Sequence, residues 1–181
     1  MLQRLSRKIL FDWLGFSEHI TEPLPAKCVI ALAPHTSNWD FVIGRLYASA
    51  TGQSNMFLMK KEWFFWPLGI LMRRIGGIPV HRNKKTNITD SVAEQAKKAD
   101  TFRVCVTPEG TRKANADWKK GFYYIALKAN IPILLYGLDF KTRSIVCTKK
   151  VIPNGDIESQ LQEIKDYYRF FTGKHPHQFA L

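Results

Sequence analysis

A chain of 181 residues, 45% of them hydrophobic, fits one domain that buries roughly 70% of its unfolded-chain surface. Its three cysteines, Cys28, Cys105 and Cys147, sit inside apolar runs with no CxxC pair, which excludes a disulfide framework and reads as buried thiols in a reducing compartment. The net charge of +12 fits plain solubility as well as an anionic surface or substrate, and charge alone does not separate these or tell nucleic acid from membrane.

No run reaches the ~18–20 apolar residues that cross a bilayer. Arg7, Lys8 and Asp12 break the apolar stretch that a signal peptide would need. Residues 2–16 instead place Leu2, Leu5, Ile9, Trp13 and Phe16 at helical steps, with Arg4, Arg7 and Lys8 off that stripe. Such a helix either packs on the domain's own core or lies in the headgroup region of a membrane. Residues 1–26 therefore read as an amphipathic N-terminal arm, and Pro23 and Pro25 as a linker before the first strand.

Cys28–Ala33 is uncharged and rich in β-branched and small residues, as in a strand buried on both faces. Pro34 stops it, and Ser37 and Asn38 supply helix-starting side chains ahead of a helix over 40–50. A short strand is predicted at Met56–Met59. Residues 63–72 (Trp-Phe-Phe-Trp-Pro-Leu-Gly-Ile-Leu-Met) carry no charge and are bracketed by Lys60, Lys61, Arg73 and Arg74. They fit either core or an aromatic, membrane-facing or chain-lining surface with basic anchors. Gly76–Arg82 reads as a glycine turn, a strand and a basic pair. A Ser91-x-x-Glu94 capping box predicts a helix over 91–99. Phe102–Val106 is a second buried-type strand. It is followed by a helix bearing Trp118, Phe122, Ile125, Ala126 and Ala129, a strand over Ile131–Leu138 and a hairpin partner over Arg143–Thr148. Asp156 caps a last helix with the stripe Ile157, Leu161, Ile164, Tyr168 and Phe171. Strands alternating with helices predict a single α/β domain with a largely parallel central sheet flanked by helices on both faces.

The chemistry concentrates at strand ends, where open α/β sheets place it. His35 and Asp40 stand five residues apart at the first strand-to-helix turn. Histidine titrates closest to neutrality, and a carboxylate can fix its ring and leave the other nitrogen as a general base. With five histidines and eight aspartates, about 0.2 such pairs arise by chance, so the spacing alone is also compatible with a helix cap beside an incidental histidine. Thr107–Arg112 follows the second buried strand. Gly110 there lets backbone approach a ligand closely, Arg112 offers a planar fork for phosphate, and Glu109 can hold a cation or accept from a hydroxyl. Arg82 ends a third strand. Together these predict an anionic, phosphorylated substrate beside a base. No G-x-S-x-G elbow, phosphate-loop or metal-ligand spacing is present, so neither an enzyme nucleophile nor a metal is assigned. Ser37 reads as a cap.

His35-x4-Asp40, Gly77-Ile78-Pro79-Val80-His81-Arg82, Pro108-Glu109-Gly110-Thr111-Arg112 and Ile131-Pro132-Ile133, in that order, resemble the four blocks of the glycerolipid acyltransferases. This is the family of 1-acylglycerol-3-phosphate acyltransferases, and the resemblance covers residues 28–138 within a domain of 27–181. It implies a glycerol-3-phosphate acyltransferase-like fold. It also implies acyl transfer from acyl-CoA or acyl-carrier protein, without a further cofactor, to a hydroxyl of a lysophospholipid or glycerol phosphate. His35 is then the base and Asp40 its partner, while Arg82, Glu109, Gly110, Thr111 and Arg112 bind the acceptor's phosphate, with Lys60 a further candidate. The chain departs from the family in Pro34, where many members have Asn, and in Thr107, where Phe is common. Without a spanning helix, attachment to an anionic membrane surface, on its cytoplasmic face, falls to residues 2–16 and 63–72. Two other readings are a basic nucleic-acid-binding domain, against which the lack of an RNP, KH or helix-turn-helix pattern counts, and an inactive lipid-binding scaffold.

Overall fold

The structure, a computed structural model, describes residues 1–80 and 88–181. Its strands are β1 (Ser17–Ile20), β2 (Lys27–Ala33), β3 (Met56–Lys60), β4 (Gly77–Val80), β5 (Phe102–Val106), β6 (Ile133–Asp139) and β7 (Ser144–Val151). They form one sheet in the order β1-β7-β6-β2-β5-β3-β4. Only β6 and β7 run antiparallel; every other neighbouring pair is parallel. The helices are α1 (Leu2–Arg7), α2 (Asn38–Ala50), α3 (Leu68–Arg74), α4 (Ile88–Lys98), α5 (Gly121–Ala129) and α6 (Ile157–Tyr168).

β2 is the strand the layers are built on. Its side chains alternate between two cores, as the period of two requires. Val29, Ala31 and Ala33 join Phe122 and Ile125 of α5 and Ile164 and Tyr168 of α6 on one face. Cys28 and Ile30 join Leu10, Ile43 and Tyr47 on the other. Helices therefore cover both faces, and the α/β class read from the alternating elements is the observed one. Two further bonds fix β2 in register. The buried Tyr168 hydroxyl donates to Ala31 O at 2.5 Å, and Val29 N donates to Pro132 O at 2.9 Å. The Ile131-Pro132-Ile133 block thus aligns β6 on the central strand.

Several elements differ from the expectation. β1 lies inside the stretch read as an arm and linker, pairing with β7 at the sheet edge; four mostly exposed residues carry too little pattern to announce a strand. The helix over 2–16 is not uniform, because α1 runs into a π-helical segment, Lys8–Trp13. That change of pitch breaks the single stripe. Ser6, Leu10 and Phe16 turn inward, with the Ser6 hydroxyl 2.8 Å from that of Ser49 on α2, while Leu2, Leu5 and Trp13 stand in solvent, Trp13 at 67% exposure. α4 begins at Ile88, so Ser91 lies within the helix rather than at its cap. Residues 63–72 are not core. Trp63, Phe65, Trp66, Ile70 and Leu71 are exposed, Trp66 at 82%. Phe64 is the aromatic that turns in, its ring against Gly77, where a Cβ would lie 3.1 Å from it, while its backbone carbonyl fills the place a Cβ would take at Gly69. Among the described residues no helix is long and apolar enough to cross a membrane.

Candidate active site

β2 ends at Ala33 and α2 begins at Asn38, so Pro34–Ser37 must turn the chain within one loop at the carboxyl edge of the sheet. Ser37 is the N-cap. Its hydroxyl accepts from Trp39 N at 3.2 Å, and Asp40, three residues on, closes a capping box with the Ser37 backbone. The same carboxylate does more than cap. Its Oδ2 accepts from Ser37 N and Thr36 N, both at 2.8 Å, and from His35 Nδ1 at 3.0 Å. Capping and ring orientation, alternatives in sequence, are one arrangement: Asp40 is a helix cap that reaches back five residues to an imidazole. With Nδ1 committed to the carboxylate, Nε2 is the nitrogen left for chemistry. Asp40 is fully buried and His35 partly exposed, as a base and its orienting group need.

β5 is the parallel neighbour of β2, so the loop after Val106 rises beside the His35 turn. The block expected to bind phosphate divides there. Glu109 points inward. It is fully buried, and its Oε1 accepts from His35 N at 2.6 Å. Burial pushes its carboxyl up to about 7, the His35 N–H opposes that rise, and the Asp40 carboxylate adds to it. Glu109 therefore holds the backbone of the candidate base, and a buried carboxylate is unsuited to contact phosphate. Gly110 takes a left-handed φ of +67°, and a Cβ there would meet the Lys119 stem at 2.9 Å. Thr111 accepts from Lys113 N at 3.3 Å through its hydroxyl. Arg112 is exposed and donates to Asn38 Oδ1, which puts its guanidinium at the first turn of α2, a few residues from His35. Lys60 ends β3, on the far side of β5, with its ammonium 3.8 Å from Glu62. Arg82 lies outside the described residues.

Burial also settles the thiols. Cys28, Cys105 and Cys147 are pushed up to about 12, chiefly by desolvation, so none offers a thiolate. Beneath α2 an apolar cavity of about 80 Å³ is lined by Ile30, Leu32, Ile43, Tyr47 and Phe57, with Asp40 in its wall.

Two kinds of residue escaped the sequence reading. Asn38 links Arg112 to the helix start. Residues 172–181 return across the site: His175 N donates to Thr36 Oγ1 at 3.1 Å, and Trp118 Nε1 donates to Ala180 O at 3.0 Å. No local pattern signals contacts that span more than sixty residues.

Residues 16–135 match the family described as Acyltransferase. The chain belongs to the acyltransferase family. It is 27% identical over 112 residues to human 1-acyl-sn-glycerol-3-phosphate acyltransferase beta, an alignment covering 59% of this chain and 40% of that protein. The chain thus spans under half the length of that curated relative. Its fold is that of the crystal structure of PlsC, the 1-acyl-sn-glycerophosphate (LPA) acyltransferase of Thermotoga maritima. The TM-score is 0.66 at 18% identity, over 93% of this chain and 75% of that one. The match spans both strand-end loops, so the family resemblance read from four short blocks holds over the sheet that carries His35 and Arg112.

The position of Glu109 makes a prediction about pH. Its carboxyl is raised in the folded state above its ordinary 4.5, so the stability it contributes is full below 4.5 and is lost as pH rises through about 7. Glu109→Gln keeps an oxygen for His35 N and removes the charge. The variant should match the parent at low pH and exceed it above pH 7, by on the order of 1–3 kcal/mol. Thermal melts across pH 5–8 check this; parallel curves for the two proteins would contradict it.

Proposed function

We propose that the protein transfers a fatty acyl group from a thioester, acyl-CoA or acyl-carrier protein, to a hydroxyl of a lysophospholipid or glycerol phosphate, 1-acylglycerol-3-phosphate foremost. The observation that carries this reading is the 3.0 Å contact of His35 Nδ1 with buried Asp40, at a strand end that Arg112 shares. Nε2 of His35 takes the proton of the acceptor hydroxyl as its oxygen attacks the thioester carbonyl. Asp40 stabilises the imidazolium so formed. The tetrahedral intermediate collapses with cleavage of the C–S bond, and the imidazolium returns its proton to the leaving thiolate. One ester and one free thiol result, with no covalent enzyme intermediate. The elevated cysteine thiols and the capping role of Ser37 support direct attack.

Arg112 is the described candidate for the acceptor's phosphate, because its planar fork matches phosphate oxygens. Arg82, Thr111 and the Gly110 backbone complete the proposed phosphate-binding set, and Glu109 serves it by fixing the loop. The cavity beneath α2 supports an apolar substrate portion, although its volume is far below the ~300 Å³ of a typical small-ligand pocket, so a long chain needs further room.

Membrane contact at an anionic, cytoplasmic-face surface is proposed through Trp13 with Leu2 and Leu5, and through Trp63, Phe65 and Trp66. Exposed aromatic and aliphatic side chains in both places sit beside arginines and lysines. Each such cation contributes about 1 kcal/mol near an anionic surface.

The test is one incubation with acyl-CoA and a panel of lyso-lipids, with and without a phosphate, and identification of the product by mass, alongside flotation with anionic vesicles. The proposal expects ester product on phosphate-bearing acceptors and flotation that weakens with salt. Absence of any ester product would sink the enzymatic reading in favour of a lipid-binding scaffold. Retention on an oligonucleotide without flotation would favour the nucleic-acid reading.

A further inference from the structure

Thr36 stands between His35 and Ser37 and is only 2% exposed. It is bonded on three sides. Its N–H donates to Asp40 Oδ2 at 2.8 Å, and its hydroxyl accepts from His175 N at 3.1 Å. Its carbonyl faces the side chain of Gln178. That side chain meets two acceptors, Arg112 O and Thr36 O, so its amide nitrogen must point at them; so oriented, it donates at 2.6 and 3.1 Å. One side chain thus joins the turn that carries the candidate base to the loop that carries the candidate phosphate ligand. The two loops leave different strands.

The approach of this segment is built in. Phe171 crosses the sheet over Gly137, where a Cβ would lie 2.1 Å from the ring. Gly173 then passes so close to Thr36 that a Cβ would sit 2.7 Å from its hydroxyl oxygen. Beyond Gln178, Trp118 holds the strand of chain through Ala180 O. A segment that only sealed the core would need apolar contacts alone. In this one His175 bonds the Thr36 hydroxyl, and Gln178 bonds the backbone of both site loops.

We infer that Gln178 is a positioning residue of the proposed active site: it sets the distance and angle between His35 and Arg112 by donating to both loops. The inference rests on the proposed acyl transfer for its kinetic readout and has a second readout that does not. Its consequence is specific. The chemistry of His35 depends on Asp40, whereas alignment of the acceptor hydroxyl with His35 depends on where Arg112 holds the phosphate. Losing the bridge should therefore damage use of phosphate-bearing acceptors more than use of acceptors without one, since misplacement by an ångström costs up to about 10²-fold.

Gln178→Met keeps length and loses both donors; Gln178→Glu keeps shape and turns acceptors against carbonyl oxygens. Both variants should lower kcat/KM for a lyso-phosphatidic acceptor roughly ten- to hundredfold, mostly through KM, while an acceptor without phosphate changes little. In amide hydrogen exchange, residues 35–37 and 110–113 should exchange faster, with α5 and β6 unchanged. Gln162→Met, the same change on the exposed face of α6, should behave as the parent in both measurements. If the parent protein transfers no acyl group, the proposed function fails, and the exchange pattern alone decides the bridge. Unchanged exchange in both loops, or equal losses on both acceptors with exchange accelerated throughout the core, would overturn the inference.

Discussion

His35→Ala is expected to lower acyl transfer from a thioester about 10²–10⁴-fold, the range a positioned general base contributes, with no loss of folding. The fold is insulated because the His35 contribution to it is made by backbone: the N–H to Glu109 stays when the ring is gone. The ring itself bonds only Asp40 among the described contacts, and Asp40 retains two backbone donors without it. A melt close to the parent's together with the activity loss is the expected pair of results. Retained turnover would remove His35 from the mechanism.

Asp40 is the residue whose loss should be felt twice. In Asp40→Ala the buried N–H groups of Thr36 and Ser37 lose their acceptor, at about 1–3 kcal/mol for each group left unsatisfied, and the capping box of α2 keeps only its Ser37 half. A total of about 2–6 kcal/mol corresponds to a fall in Tm of roughly 4–24 °C for a chain of this size. Activity should fall at least as far as in His35→Ala, because the ring loses its orientation and the turn its shape. Asp40→Asn separates the two duties. Asparagine keeps a side-chain oxygen for the Thr36 and Ser37 N–H groups, so stability should stay within about 1 kcal/mol of the parent, while the amide no longer supplies the negative charge that supports the imidazolium, and activity should drop about 10²–10⁴-fold. Thermal melts and steady-state rates on both variants check the separation. Loss of stability in Asp40→Asn equal to that in Asp40→Ala would mean that charge, rather than hydrogen bonding, holds the turn.

What the chain announces locally and what it does not follow from the range of the interactions. The central strand, its stop at Pro34, the cap at Ser37 and the His35–Asp40 contact all lie within about a dozen residues, and their residue types identify them. Alternation of strands and helices puts the ends of parallel strands at one edge, which placed the His35 turn and the Arg112 loop on the same side; that β5 lies next to β2 is set by the crossover order of the sheet. The inward turn of Glu109 was not legible, because a charged residue in a loop is solvent-exposed by default and the His35 N–H that receives it lies 74 residues away in the chain. The break of the N-terminal stripe depends on a π-helical segment that periodicity cannot register, since the pattern assumes a constant pitch. β1 was hidden by its brevity, and the return of residues 172–181 by distance along the chain.

The exposed aromatics sharpen a question that composition left open. A run such as Trp63–Met72 is apolar enough for a core, and its bracketing cations also suit a membrane surface. Phe64, Leu68 and Met72 are half-buried, with the Phe64 ring against Gly77. Trp63, Phe65, Trp66, Ile70 and Leu71 face solvent between Lys60, Lys61, Arg73 and Arg74, which supports the proposed membrane contact. Acyl donors and lyso-lipids partition into just such interfaces, so a site at the sheet edge and an apolar, cationic surface belong to one proposed task.

The account stands most directly on the stoichiometry of a single reaction. Purified protein is mixed with acyl-CoA, first alone and then with 1-acylglycerol-3-phosphate, while free thiol, new ester and the intact mass of the protein are followed together. Direct attack by the acceptor predicts almost no thiol and no added protein mass before the acceptor arrives, and afterwards thiol and ester in equal amounts. A burst of thiol with an acyl group on the protein, or thiol released without ester, would contradict it.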